Sequence, residues 1–75
     1  MIVKVKYFNE EVGGYGGQEY TYRTYLPVVP FTKVIAPTYK GDNKAIVTEI
    51  NLPESVQDEF EAKGIKLKEI ERYDT

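Results

Sequence analysis

Residues 45–70, AIVTEINLPESVQDEFEAKGIKLKEI, decide the predicted fold because one strand, one helix and one further strand follow each other there. Apolar and polar residues alternate over 45–52, which is the period of a strand with one buried face. A proline then opens a segment with two apolar residues four apart, and this spacing predicts a helix of about three turns over 53–63. Gly64 is suited to end the helix. Alternation returns over 65–70 and predicts a last strand.

Three more strands are predicted before this segment, at residues 2–8, 19–26 and 33–36. A glycine-rich stretch separates the first two and predicts a flexible hairpin tip, since Gly weakens both strands and helices. Gly41-Asp42-Asn43 predicts a turn before the next strand, and the polar residues 71–75 are expected to fray. The order is therefore β-β-β-β-α-β in a single domain over residues 1–75. An OB-fold would place its helix between the third and fourth strands, and a ferredoxin-like fold would need two helices. We therefore expect a mainly β protein, a small five-stranded SH3-like barrel with one short helix before the last strand.

The composition excludes most catalytic chemistry. The chain has no His and no Cys, and its formal net charge is −2. Without imidazole or thiolate, the usual general bases, nucleophiles and metal ligands are missing, and no hydroxyl is paired with a base in the sequence. We therefore predict that the protein is not an enzyme and uses no metal or cofactor. Since no apolar run approaches the roughly 18 residues that span a bilayer, we also expect no membrane contact and a cytoplasmic location.

Tyrosine is the one compositional excess, with seven residues concentrated in the first half of the chain. Tyr offers a large contact area at low entropic cost, and several Tyr together can stack bases. Tyr15, expected at the apex of the glycine tip, is a candidate anchor for a partner. In the strand 19–26, one face carries two Tyr and the other carries Arg23 and Tyr25.

The candidate binding residues are therefore Tyr15, Tyr20, Tyr22, Arg23, Tyr25 and Lys33. The wider candidate stacking platform is Tyr7, Tyr20, Tyr22, Tyr25 and Tyr39. A core with few Leu also needs some of these rings, so core packing and ligand binding both stay open as roles for the Tyr-rich strand.

Residues 20–52 carry a resemblance to a known group of proteins. A short strand ending in Ala-Pro-Thr at 36–38 is followed by KAIVTEI at 44–50. This layout resembles small uncharacterised proteins of phages and prophages with an SH3-like barrel. It is distantly similar to the DNA 3′-end-binding domain of the primosomal helicase. Those relatives carry Gly-Asp where this chain has Phe31-Thr32. The resemblance implies a phage-type accessory protein that acts in the cytoplasm of a host cell.

Two functional hypotheses follow. The first is a non-enzymatic binding module that blocks a host protein or sequesters a small, nucleotide-like signalling molecule, in a counter-defence or host-modulating role. The alternative is a barrel that binds single-stranded nucleic acid in a replication complex. A nucleic-acid binder normally carries a strong basic excess, which favours the first hypothesis. A small sheet with free edges is compatible with a monomer or a homodimer.

Overall fold

Six strands and one short helix make up the chain, which a computed structural model describes over residues 1–75. A mainly β domain with one helix before its C-terminal strands is confirmed. The predicted number of five strands is wrong, because the segment 65–70 contributes only two strand residues and a further short strand follows it. The elements are β1 Ile2–Asn9, β2 Gly14–Thr24, β3 Lys33–Thr38, β4 Gly41–Leu52, α1 Ser55–Ala62, β5 Glu69–Ile70 and β6 Arg72–Tyr73.

The strands form one mixed sheet in the order β5-β2-β1-β4-β3-β6. The four long strands pair antiparallel, and β5 runs parallel to β2. Only Glu71 separates β5 from β6, yet these two strands pair with opposite sides of the four-stranded centre. The sheet must therefore curl until β2 and β3 both reach the C-terminal segment. β5 and β6 do not pair with each other, so the sheet is not closed into the predicted barrel.

The core lies on the concave face of this curled sheet. Val3 and Val5 have no exposed surface, as the alternation in β1 predicts, and Ile2, Val34 and Val47 are fully buried as well. Each buried Val contributes about 1.5–3 kcal/mol relative to an exposed one. At the edge of the core, the buried Thr24 hydroxyl donates to the Ile70 carbonyl at 2.8 Å and so joins β5 to β2.

The glycine-rich stretch is not a flexible tip. The hairpin turn occupies residues 10–13, and β2 already begins at Gly14, so Tyr15 lies in a strand rather than at an apex. Tyr15 pairs with Phe8 of β1, and the two rings meet edge to face with centroids 5.3 Å apart. Pairing with β1 and this aromatic contact outweigh the entropic cost of placing Gly in a strand.

One further turn and the C-terminal segment differ from the sequence prediction. The hairpin between β3 and β4 turns over residues 38–41, whereas a turn was expected at Gly41-Asp42-Asn43. These three residues instead begin β4, where they pair with the end of β3. The C-terminal residues were expected to fray, but two of them form β6 because Val34 and Ile35 pair with them.

The helix is shorter than predicted and lies at the edge of the structure. It spans Ser55–Ala62 instead of 53–63, and none of its residues is buried. Gly64 ends it as predicted, with a φ of 76° and its amide donating to the Glu61 carbonyl at 2.9 Å. No helix of the structure is long and apolar enough to cross a membrane.

Candidate functional site

Three tyrosines meet on the concave side of β1 and β2. The register pairs Val3 with Tyr22 and Val5 with Tyr20, which puts both Tyr on the face of the buried Val residues. Tyr7 lies diagonally from Tyr20, within reach of its ring. The two rings stack with centroids 4.4 Å apart and planes inclined by 13°.

The hydroxyl groups of this cluster form a directed chain of hydrogen bonds. Tyr22 Oη donates to the Pro37 carbonyl at 2.8 Å, and Tyr7 Oη lies 2.6 Å from Tyr22 Oη. Since a carbonyl only accepts, the single Tyr22 proton goes to Pro37, and Tyr7 must donate to Tyr22. Burial, together with the Tyr7 hydroxyl, raises the pKa of Tyr22 well above its ordinary value. The Tyr22 phenol therefore keeps its proton beyond the pH at which an ordinary Tyr ionises, and the chain of bonds holds both rings in place.

Two hollows open on either side of these tyrosines, and both are lined by Tyr7, Tyr20, Tyr22 and Lys68. The first, here called the turn hollow, has a volume of about 380 Å³ and is completed by Thr38, Tyr39, Lys40 and Asn43. The second, here called the helix hollow, has a volume of about 210 Å³ and is completed by Thr21, Phe60, Ile65, Lys66 and Leu67. Together they form the tyrosine cleft.

Two of the tyrosines that line the cleft keep exposed ring surface. Tyr22 is only 4% exposed and belongs to the core, whereas Tyr20 is 38% and Tyr39 86% exposed. Because Tyr7 covers one face of the Tyr20 ring, the remaining exposure of Tyr20 is available for stacking a planar group. Lys40 Nζ lies 5.6 Å from the centroid of the Tyr39 ring. The cleft can therefore bind a planar molecule, and it holds no nucleophile next to a base.

A larger hollow of about 500 Å³ lies beside the C-terminal strands, and its charges largely compensate one another. It is lined by three carboxylates, from Asp42, Glu69 and Glu71, and by Lys66, Lys68 and Arg72. Arg72 is already paired with Asp42 at 2.8 Å. No group of three or more acidic side chains is placed to hold a metal ion.

Of the predicted binding residues, only Tyr20 and Tyr22 line the cleft. Tyr15 packs on Phe8 in the β1–β2 hairpin, outside both hollows. Arg23 contacts the helix, because its guanidinium donates to Glu54 at 3.2 Å and also to Gln57. Lys33 is exposed at the start of β3 and lines neither hollow.

The sequence singled out Tyr7 and Tyr39 as members of a stacking platform, but it gave no reason to include Phe60 or Lys68. Lys68 reaches the cleft because its carbonyl accepts the Arg23 amide at 3.0 Å where the C-terminal segment runs along β2. That pairing joins residues 45 positions apart, and no local pattern in the sequence signals it.

A second exposed surface is formed by the loop between β2 and β3, residues 25–32, here called the proline loop. Its Tyr25, Val29 and Phe31 side chains are 81%, 62% and 77% exposed. Two hydrogen bonds to Val47 hold the loop. The Phe31 amide donates to the Val47 carbonyl at 2.7 Å, and the Val47 amide donates to the Thr32 carbonyl at 2.9 Å. Phe31 has a φ of 76°, a conformation that favours glycine, so the backbone presents this ring at an energetic cost.

Comparison of the chain with protein-family models, curated proteins and solved structures gives no match. The tyrosine cleft and the proline loop are therefore the features of the molecule that bear on its function.

Proposed function

We propose that the protein is a non-enzymatic binding module that sequesters a small molecule with a planar ring in the tyrosine cleft. The observation that carries this proposal is the stacked Tyr7–Tyr20 pair, whose outer ring remains partly exposed between two hollows. Stacking on an aromatic ring requires a π-face on the ligand and no catalytic group on the protein.

Preorganisation of the rings supports the same proposal. The Tyr7–Tyr22–Pro37 hydrogen bonds fix the inner rings before any ligand arrives. A ligand that stacks on Tyr20 therefore does not have to order the Tyr7 and Tyr22 side chains, and less binding free energy is lost to side-chain entropy. In a phage-type accessory protein, such a cleft would keep a host signalling molecule away from its receptor.

The test is an NMR titration of the ¹⁵N-labelled protein with planar heteroaromatic compounds: the common nucleosides, nicotinamide, riboflavin and indole. We expect saturable shifts at Tyr20 and Tyr39. The substitution Tyr20→Ala should weaken binding by about ten- to a hundredfold, since stacking on one ring contributes about 1–3 kcal/mol.

The matched control is Tyr25→Ala, which removes a more exposed Tyr from the same strand region without changing the cleft. Equal losses for both variants, or the absence of any binding compound, would overturn the proposal. Tight binding of a single-stranded oligonucleotide with a steep salt dependence would favour the replication alternative instead.

The proline loop favours a second candidate function, the blocking of a host protein. A strained, hydrogen-bonded backbone that exposes Val29 and Phe31 resembles the rigid apolar anchors at the centres of protein interfaces. In a pull-down from host lysate, Phe31→Gly should lose a partner that Tyr39→Ala retains. A partner retained equally by both variants, or lost equally from both, would remove the proline loop as the blocking surface.

A further inference from the structure

The charges around the tyrosine cleft distinguish it from the rest of the molecule. The whole chain has 12 acidic and 10 basic side chains. Both hollows together are lined by Lys40, Lys66 and Lys68 and by no Asp or Glu. The cleft is therefore a locally cationic site on an acidic protein.

These three lysines are also free of ion pairs. The salt bridges of the structure join Lys4 with Glu49, Arg23 with Glu54, and Arg72 with Asp42. Lys66 and Lys68 also line the larger hollow with Asp42, Glu69 and Glu71, yet neither forms a salt bridge with these carboxylates, so both ammonium groups remain available to an anion in the cleft. The geometry thus calls for a ligand that carries negative charge as well as a planar ring.

The two hollows differ in the chemistry that each can hold. The helix hollow is mostly apolar, since Phe60, Ile65 and Leu67 line it together with the tyrosines. The turn hollow is polar, since Thr38, Lys40 and Asn43 lie on its wall. Lys68 lines both hollows, so it lies where the two parts of one ligand would join.

We infer that the ligand is a nucleoside phosphate, with its base in the helix hollow and its phosphate in the turn hollow between Lys40 and Lys68. This inference rests on the proposed function, because it assigns a ligand class to the same cleft. A base supplies the planar ring that stacks on Tyr20. A phosphate supplies the charge and the acceptor oxygens for two ammonium groups.

The test is isothermal titration calorimetry with adenosine, guanosine, cytidine and uridine, and with their 5′-monophosphates. We expect at least one monophosphate to bind about tenfold more tightly than its nucleoside. Lys68→Met should remove most of this difference, and Lys40→Met with Lys68→Met should remove it entirely. Raising NaCl from about 0.05 to about 0.5 M should weaken the monophosphate and leave the nucleoside nearly unchanged.

Lys63→Met is the matched control, because it removes the same charge from a residue that lines neither hollow. If Lys63→Met weakens the monophosphate as much as Lys68→Met does, the phosphate site is refuted. If nucleosides and monophosphates bind equally, the phosphate site is also refuted, but the planar-ring proposal stands. If none of these compounds binds while another planar compound does, the nucleotide assignment is wrong. If no planar compound binds at all, the proposed function itself fails.

Discussion

The hydroxyl of Tyr22 offers the sharpest test of how the tyrosine cleft is held together. Tyr22→Phe keeps the ring, which is 4% exposed, and removes only an oxygen that accepts from Tyr7 and donates to Pro37. Each hydrogen bond contributes about 0.5–1.5 kcal/mol to stability, so two lost bonds amount to about 1–3 kcal/mol. Because Tyr7 and Pro37 are only half-buried, water can partly replace the lost partner. We therefore expect a loss of about 2 kcal/mol.

This loss is large for a domain of this size, whose total stability we expect to be about 4–11 kcal/mol. It corresponds to a fall in Tm of about 8–16 °C. The assay is urea denaturation followed by far-ultraviolet circular dichroism, which needs no Trp. If the free energy of unfolding falls by about 1 kcal/mol per M of urea, the midpoint of the transition should fall by about 2 M while this slope stays unchanged.

The direction of the hydrogen-bond chain predicts different stability losses for Tyr7→Phe and Tyr22→Phe. Tyr7→Phe removes one bond and leaves Tyr22 donating to Pro37, so it should cost only about 1 kcal/mol. The double substitution should cost less than the sum of the two single ones, by about the free energy of the shared bond. Equal stability losses for Tyr7→Phe and Tyr22→Phe, or strictly additive losses in the double variant, would refute this direction of the hydrogen bonds.

Three further predictions concern the titration of Tyr22 and two residues with a positive φ. Because the pKa of Tyr22 is raised on folding, the unfolded chain loses that proton first. The free energy of unfolding should therefore decline above about pH 10. The decline should be steeper in the unsubstituted protein than in Tyr22→Phe, by up to about 1.4 kcal/mol per pH unit. Parallel pH profiles of the two proteins would contradict this. Gly64→Ala should destabilise the protein by about 1 kcal/mol in urea denaturation, since Ala disfavours a φ of 76°, and an unchanged midpoint would show that the helix end carries no strain. Phe31→Gly should be neutral or stabilising by up to about 1 kcal/mol, because it relieves a strained φ and removes a ring that is 77% exposed; a loss above about 1 kcal/mol would mean that the ring packs in the fold.

Much of the fold could be predicted from local patterns. Alternation in β1 places Val3 and Val5 on the buried face, and the proline, the apolar spacing and Gly64 bound the helix to within two residues. These features were predictable because strand periodicity, helix capping and positive φ depend on residues that are close in the sequence. The prediction failed at Gly14–Gly17 and at Gly41–Asn43, where pairing with a neighbouring strand overrides the local preference for a turn.

The candidate site was predictable only in part. The period-two pattern of the strand 19–26 correctly placed Tyr20 and Tyr22 on one face. The sequence alone did not separate their roles, because the depth of each ring depends on how far the sheet curls. As a result Tyr22 is buried in the core and Tyr20 remains partly exposed.

The sequence by itself determined a mainly β chain with one short helix, an aromatic-rich second strand and no imidazole or thiol chemistry. Only the tertiary structure decided which of these residues meet. Pairing of the C-terminal segment with β2 brings Lys68 beside Tyr20, and the β3–β4 hairpin brings Lys40 and Asn43 to the same cleft. The physical reason is that strand periodicity is encoded locally, whereas the contacts that build the cleft depend on hydrogen bonds between strands far apart in the chain.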